Sequence, residues 1–173
     1  MGLAVLFRAS GTPIPEGHVR AFARKGGGIQ YAHGSPGLAL WRSQVAMAAF
    51  LGREGEAPYD GPVYVAMTFH MARPKSHLDA AGNVKASAPE WPAVRPDVDK
   101  LARAVLDAIS LPGKFHGPPI LSDDSRVVAM EARKVYALPS EWPGVSVAVF
   151  DMGHAVVSSL SVTPTPGHVL AGA

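Results

Sequence analysis

Two pairs of aspartates are the residues whose type and spacing most readily suggest chemistry. Asp97 and Asp99 sit where loop gives way to helix in RPDVDKLARAVLDAI (residues 95–109), and Asp123 and Asp124 form the centre of SDDS (residues 122–125). Carboxylates brought together repel and raise one another's pKa unless they share a cation. Convergence of the two pairs would therefore require a hard divalent ion. Magnesium prefers oxygen ligands, keeps several waters, and is often held by one or two carboxylates plus a substrate phosphate. Such a site suits phosphodiester hydrolysis, with Arg103 or Lys134 to neutralise charge in the transition state.

The same residues also have a purely structural explanation. Pro96 biases Arg95 toward extended backbone, and Asp97 is a good N-cap, so the helix is expected to start at Val98. Val98, Leu101, Ala102, Val105, Ala108 and Ile109 fall on one stripe at about 100° per residue, which would pack on a sheet. Asp99, Arg103 and Asp107 follow one another at i,i+4 spacing on the opposite face beside Lys100, as an exposed ridge of alternating charge. Asp99 also suits the helix dipole, and DDS by itself is an ordinary turn signal. Both roles fit Asp97 and Asp99: they can start the helix and hold a cation.

The elements that would position these residues read as follows. Strands are expected over residues 3–8, over 63–71, from about Ser125 to Tyr136, and through Val145, Val147 and Val149. The clearest is 63–71, where Val63, Val65, Met67, Phe69 and Met71 alternate with Tyr64, Ala66, Thr68 and His70. Leu38, Trp41, Val45 and Ala49 predict a helix over 38–51, with Arg42 and Gln44 off its stripe. Residues 11–24 read as a shaped loop, 26–37 as a mobile segment, and 72–95 as a long flexible loop of the functional or disordered kind. The expected unit is a single domain over 1–153, with 154–173 as a poorly ordered tail. Helices and strands mix without βαβ alternation, which favours an α+β fold, a mixed sheet with helices packed on it, over a doubly wound parallel sheet.

Composition narrows the functional classes. The 173 residues are enough for one domain with its own core, and contain no cysteine, which excludes disulfides, thiolate metal sites and cysteine catalysis. That fits a reducing cytoplasm. The apolar runs are too short to cross a bilayer and the N-terminus lacks a basic leader, so the expectation is a soluble, unexported protein without a membrane partner. Lys and Arg exceed Asp and Glu by 16 to 14, a net +2 that only weakly suggests a polyanionic partner. The seven histidines show neither HxH nor HExxH spacing, which argues against a zinc enzyme.

RPDVDKLARAVLDAI, followed by LSDDSRVVAMEARKVYA (residues 121–137), resembles the RusA-type Holliday-junction resolvases. Their pattern is Pro-Asp-x-Asp-Asn-Leu-x-Lys, an Asp-Ala-Leu helix continuation, then Asp-Asp-x-Gln-Val and a downstream Lys. GTPIPEGHVRAF (residues 11–22) and Trp41-Arg42 are similar to the phage-type branch, and the resemblance covers roughly residues 3–151. It implies a small α+β homodimer that binds four-way or otherwise branched DNA and cuts it with Mg²⁺, or with Mn²⁺ in its place, in the cytoplasm of a bacterium or phage-infected cell. Matched by residue, it implies that Asp97, Asp99 and Asp124 are metal-binding, catalytic aspartates, with Asp123 as their acidic neighbour and Arg103 at a catalytic Lys position. Two departures stand out: Lys100 replaces the usual Asn, and Arg103 replaces Lys. Arg keeps the charge but is a planar fork that stays protonated, so it can stabilise phosphate charge yet is a poor proton donor.

A two-fold dimer suits a four-way junction, since two sites related by a dyad can nick opposing strands. Arg20, Arg24, Lys75, Lys85, Lys100 and Lys134 are the candidate DNA contacts, and phosphate contacts would make binding salt-dependent. Alternatives are a flap or other branched-DNA endonuclease, another metal-dependent phosphotransfer enzyme with a DxD motif, and a non-catalytic DNA-binding protein. In aspartyl-nucleophile phosphatases DxD follows an apolar strand, whereas PAVRPDVD (residues 92–99) opens a helix after a loop.

Overall fold

A computed structural model describes residues 2–17, 20–23, 26–27, 29–32, 36–54, 56–110 and 118–153. Alternating apolar residues dictate its central strand. In β4 (Val63–Met71) Val63, Val65, Met67 and Phe69 are fully buried, while Tyr64, Ala66, Thr68 and His70 stay half-buried on the other face. Each such large apolar side chain removed from water contributes about 1.5–3 kcal/mol. Around β4 run β1 (Gly2–Ser10), β5 (Val127–Tyr136) and β6 (Gly144–Asp151), in the order β1-β6-β4-β5. The β1–β6 and β6–β4 pairs are antiparallel and the β4–β5 pair is parallel. The result is an α+β domain with a mixed sheet, as expected.

Two helices cover one face. α1 (Leu38–Gly52) packs on β1 and on α2 (Val98–Ser110), which begins at Val98 as its proline and aspartate signals require. Leu101, Ala102, Val105, Ala108 and Ile109 of α2 are all buried, so its stripe faces the sheet. α1 departs from its sequence reading. Arg42, placed off the stripe, is buried beside Trp41, whereas Leu40, Met47 and Leu51 are exposed. Apolar residues circle this helix, so periodicity could not tell which side would be covered.

Residues 11–37, read as loop and mobile segment, contain a short antiparallel pair, β2 (Arg20–Ala23) with β3 (Ile29–Ala32). Four residues per strand are too few for a period-2 signal to emerge between glycines. The 72–95 segment lacks periodicity but makes its own bonds. The Asp79 carboxylate accepts from the backbone N–H groups of Ala81 (2.9 Å) and Asn83 (2.8 Å), Lys85 Nζ donates to Ser76 O (2.9 Å), and Arg73 lies 4.1 Å from the Tyr136 ring centre. The tail at 154–173 lies outside the described residues.

At Gly144 the β1–β6 seam closes so tightly that an added Cβ would lie 2.1 Å from the Ala9 carbonyl oxygen. Backbone cannot yield as a side chain can. Gly144→Ala is expected to lower stability by about 2 kcal/mol or more, a Tm fall of about 5 °C for a domain of this size, in thermal unfolding followed by circular dichroism. Gly2→Ala, which meets nothing within 4 Å, should leave Tm unchanged.

Candidate active site

Because β4 and β5 run parallel, the chain must return between them, and α2 is that return. Its direction follows from its two ends. At the start, Lys134 Nζ of β5 donates to Pro96 O (2.9 Å) and Val94 O (2.6 Å). At the finish, Ile109 O accepts from the backbone N–H groups of Ile120 (2.9 Å) and Leu121 (3.1 Å), and Leu121 bridges Tyr59 just ahead of β4. α2 thus runs antiparallel to β4 and β5. Asp97 and Asp99 lie at one end of the layer, beside Lys134. Asp123 and Asp124 lie at the other, where a 3₁₀ turn over Asp124–Arg126 leads into β5. From Val127 to Lys134 is about 23 Å of strand and α2 is about 18 Å long, which puts the two acid pairs on the order of 20 Å apart.

The pairs therefore do not meet within one chain. Among the described residues no group of three or more histidine or acidic side chains is placed to hold a metal ion. Each pair has instead its own local order. Asp97 is paired with Lys100 Nζ (3.1 Å), while its carbonyl accepts the Leu101 N–H (3.2 Å). The hydrogen bond and charge of Lys100, helped by Arg95 and Lys134, hold the Asp97 carboxyl below its ordinary value. Asp123 caps the 3₁₀ turn by accepting the Ser125 N–H (2.8 Å), and Ser125 hydrogen bonds likewise hold its carboxyl low. Asp99, Asp124 and Arg103 are exposed.

Residues 11–149 match the family model described as endodeoxyribonuclease RusA. The chain belongs to the RusA endodeoxyribonuclease family. None of the curated proteins matches it. This family of Holliday-junction nucleases hydrolyses phosphodiester bonds in DNA, generally with a divalent metal.

The remaining candidates fall into three groups. Lys75 and Lys85 are exposed on the 72–95 segment, with Lys85 engaged at Ser76 O. Lys100 and Lys134 sit at the Asp97 end, each bonded to groups of that junction. Arg20 falls in β2, and Arg24 lies outside the described residues. Asp107, expected on an exposed ridge with Asp99 and Arg103, is instead an ion-pair partner of the buried Arg42, which also holds Glu16. Glu16 N–H in turn donates to Lys100 O (2.9 Å), so residues 11–17, α1 and α2 are tied into one scaffold behind the Asp97 junction. Glu16 and Arg42 were invisible as site supports in the sequence. Only Arg42 next to Trp41 in the family-like stretch hinted at them.

A carboxylate held below its unfolded-chain value near 3.8 contributes stability that is present above that value and is lost as pH falls through the folded value. Carboxyl-carbon NMR titration should therefore show low midpoints for Asp97 and Asp123. In Lys100→Met the Asp97 midpoint should move up toward 3.8, and the Asp123 midpoint, set by Ser125, should stay put.

Proposed function

We propose that this RusA-family nuclease resolves Holliday junctions by paired, Mg²⁺-dependent hydrolysis, and that it does so as a homodimer whose active sites are shared between chains. The observation that carries this reading is the separation of the acid pairs. A chain whose two pairs lie at opposite ends of one layer can assemble three carboxylates only by meeting a second copy, Asp97 and Asp99 from one and Asp124, with Asp123 beside it, from its partner. Two-fold symmetry makes two such sites at once, which matches the two opposing strands of a four-way junction.

An ion held by these carboxylates supplies, when bound, Lewis acidity toward water and the phosphoryl oxygens. The chain's own residues do the rest. Asp97 is an exposed carboxylate, ionised at neutral pH as any such aspartate is, and Lys100 beside it lowers its pKa further. Arg103, one turn beyond Asp99 and exposed, offers a fixed positive fork to a scissile phosphate, stabilising charge as it develops without donating a proton. Lys75 and Lys85 extend a positive surface toward the arms of the junction.

The test is cleavage of an end-labelled synthetic four-way junction. The parent protein should give symmetric paired nicks in Mg²⁺ and none in EDTA. Asp99→Asn should reduce the rate by about 1000-fold or more while junction binding persists. Binding without cleavage in any divalent metal would instead favour a DNA-binding role, and faster cutting of flaps than of junctions would favour a flap nuclease.

A further inference from the structure

Lys134 occupies an unusual place for a cation. On β5 it pairs in register with the fully buried Phe69 of β4, on the face of the sheet that the helices cover. Its stem lies in that layer, and its head reaches back across it to the backbone ahead of α2. An ammonium has three protons and no acceptor. Two of them go to Val94 O (2.6 Å) and Pro96 O (2.9 Å), the carbonyls that flank Arg95 on either side. Pro96 is followed at once by Asp97, whose own carbonyl starts the α2 ladder at Leu101.

The consequence concerns a long tether. Between the end of β4 at Met71 and the start of α2 at Val98 the only regular element is a single 3₁₀ turn, Lys75–His77. The bonds of Asp79 and Lys85 hold the middle of that segment to itself. Lys134 joins its last residues to the sheet. We infer that Lys134 is a positioning residue: it clamps the Val94–Pro96 backbone to β5 and thereby fixes where Asp97 and Asp99 project. This differs from a direct DNA contact, which would leave the ammonium free for phosphate. The catalytic consequence rests on the nuclease reading above; the clamp itself does not.

The experiment uses the full chain with Lys134→Met, which keeps the stem and removes the donors, and Lys134→Arg, whose fork can reach both carbonyls. Hydrogen–deuterium exchange is read without metal or DNA, junction affinity and its salt dependence in EDTA, and single-turnover cleavage at saturating junction in Mg²⁺. Lys134→Met should speed exchange of the Leu101 amide by about tenfold or more, with β4 amides unchanged. Cleavage should fall by about 100-fold, as expected when a ligand shifts by about an ångström. Affinity and salt slope should hold, and Lys134→Arg should restore most of both losses. If Lys134→Met does not fold, Lys134→Gln, too short to reach both carbonyls, carries the same comparison. Unchanged exchange would overturn the inference. So would weakened binding with a salt slope reduced by about one, the signature of a lost phosphate contact. Because exchange is measured without metal or DNA, the clamp can stand or fall separately from the effect of Asp99→Asn on cleavage.

Discussion

The parallel pairing of β4 with β5 is the constraint from which the rest of this molecule follows. Two parallel neighbours cannot be joined by a hairpin, so the chain must travel the length of the sheet and come back. It returns as α2, with the apolar stripe of that helix buried in the same core as Val65, Met67 and Phe69. One acid pair opens the helix and the other precedes the next strand, so the topology itself sends them to opposite ends. The polar chemistry of a hydrolytic site is thereby divided by a hydrophobic requirement.

Each end is then fixed by different means. At the Asp97 end the ties come from afar: Lys134 from β5, and Glu16 N–H from the N-terminal loop to Lys100 O. At the Asp124 end they are local. Asp123 caps the 3₁₀ turn, and Asp60, just ahead of β4, accepts from Ser122 Oγ (2.6 Å) and pairs with Arg126 (3.2 Å). Behind both, Arg42 joins α1 to Asp107 of α2 and to Glu16. A buried cation shared by two carboxylates has a high desolvation cost, and removing one partner leaves the remaining charge exposed to it. Here the node ties α1 to α2.

Much of this was legible in the sequence, for reasons that can be located. The alternation in 63–71 and the stripe from Val98 to Ile109 are strong periodic signals with one buried face each, and Asp97 behind Pro96 marks where the helix starts. The acid pairs stand out because each sets two aspartates close together, one pair where a helix starts and the other where a strand is entered. What periodicity could not carry was anything set by partners distant in sequence. Arg42 looked solvated because α1 is apolar all round, Asp107 looked exposed because it continued the Asp99–Arg103 ridge, and β2 and β3 are too short to show a pattern. The expected convergence of the acid pairs failed within one chain for the same reason: their spacing in sequence gives no hint that a whole strand length lies between them.

The most direct measurement mixes two inactive proteins. Asp99→Asn and Asp124→Asn chains are co-refolded in equal amounts and assayed for junction nicking in Mg²⁺. If sites are shared, each heterodimer gathers both substitutions in one site and leaves the other intact. Nicking should then return to roughly a quarter of the parent level, since about half the dimers are mixed and each has one of two sites. If each chain builds its own site, every site in every mixed dimer carries a substitution, and activity that stays at the level of the separate variants would contradict the account.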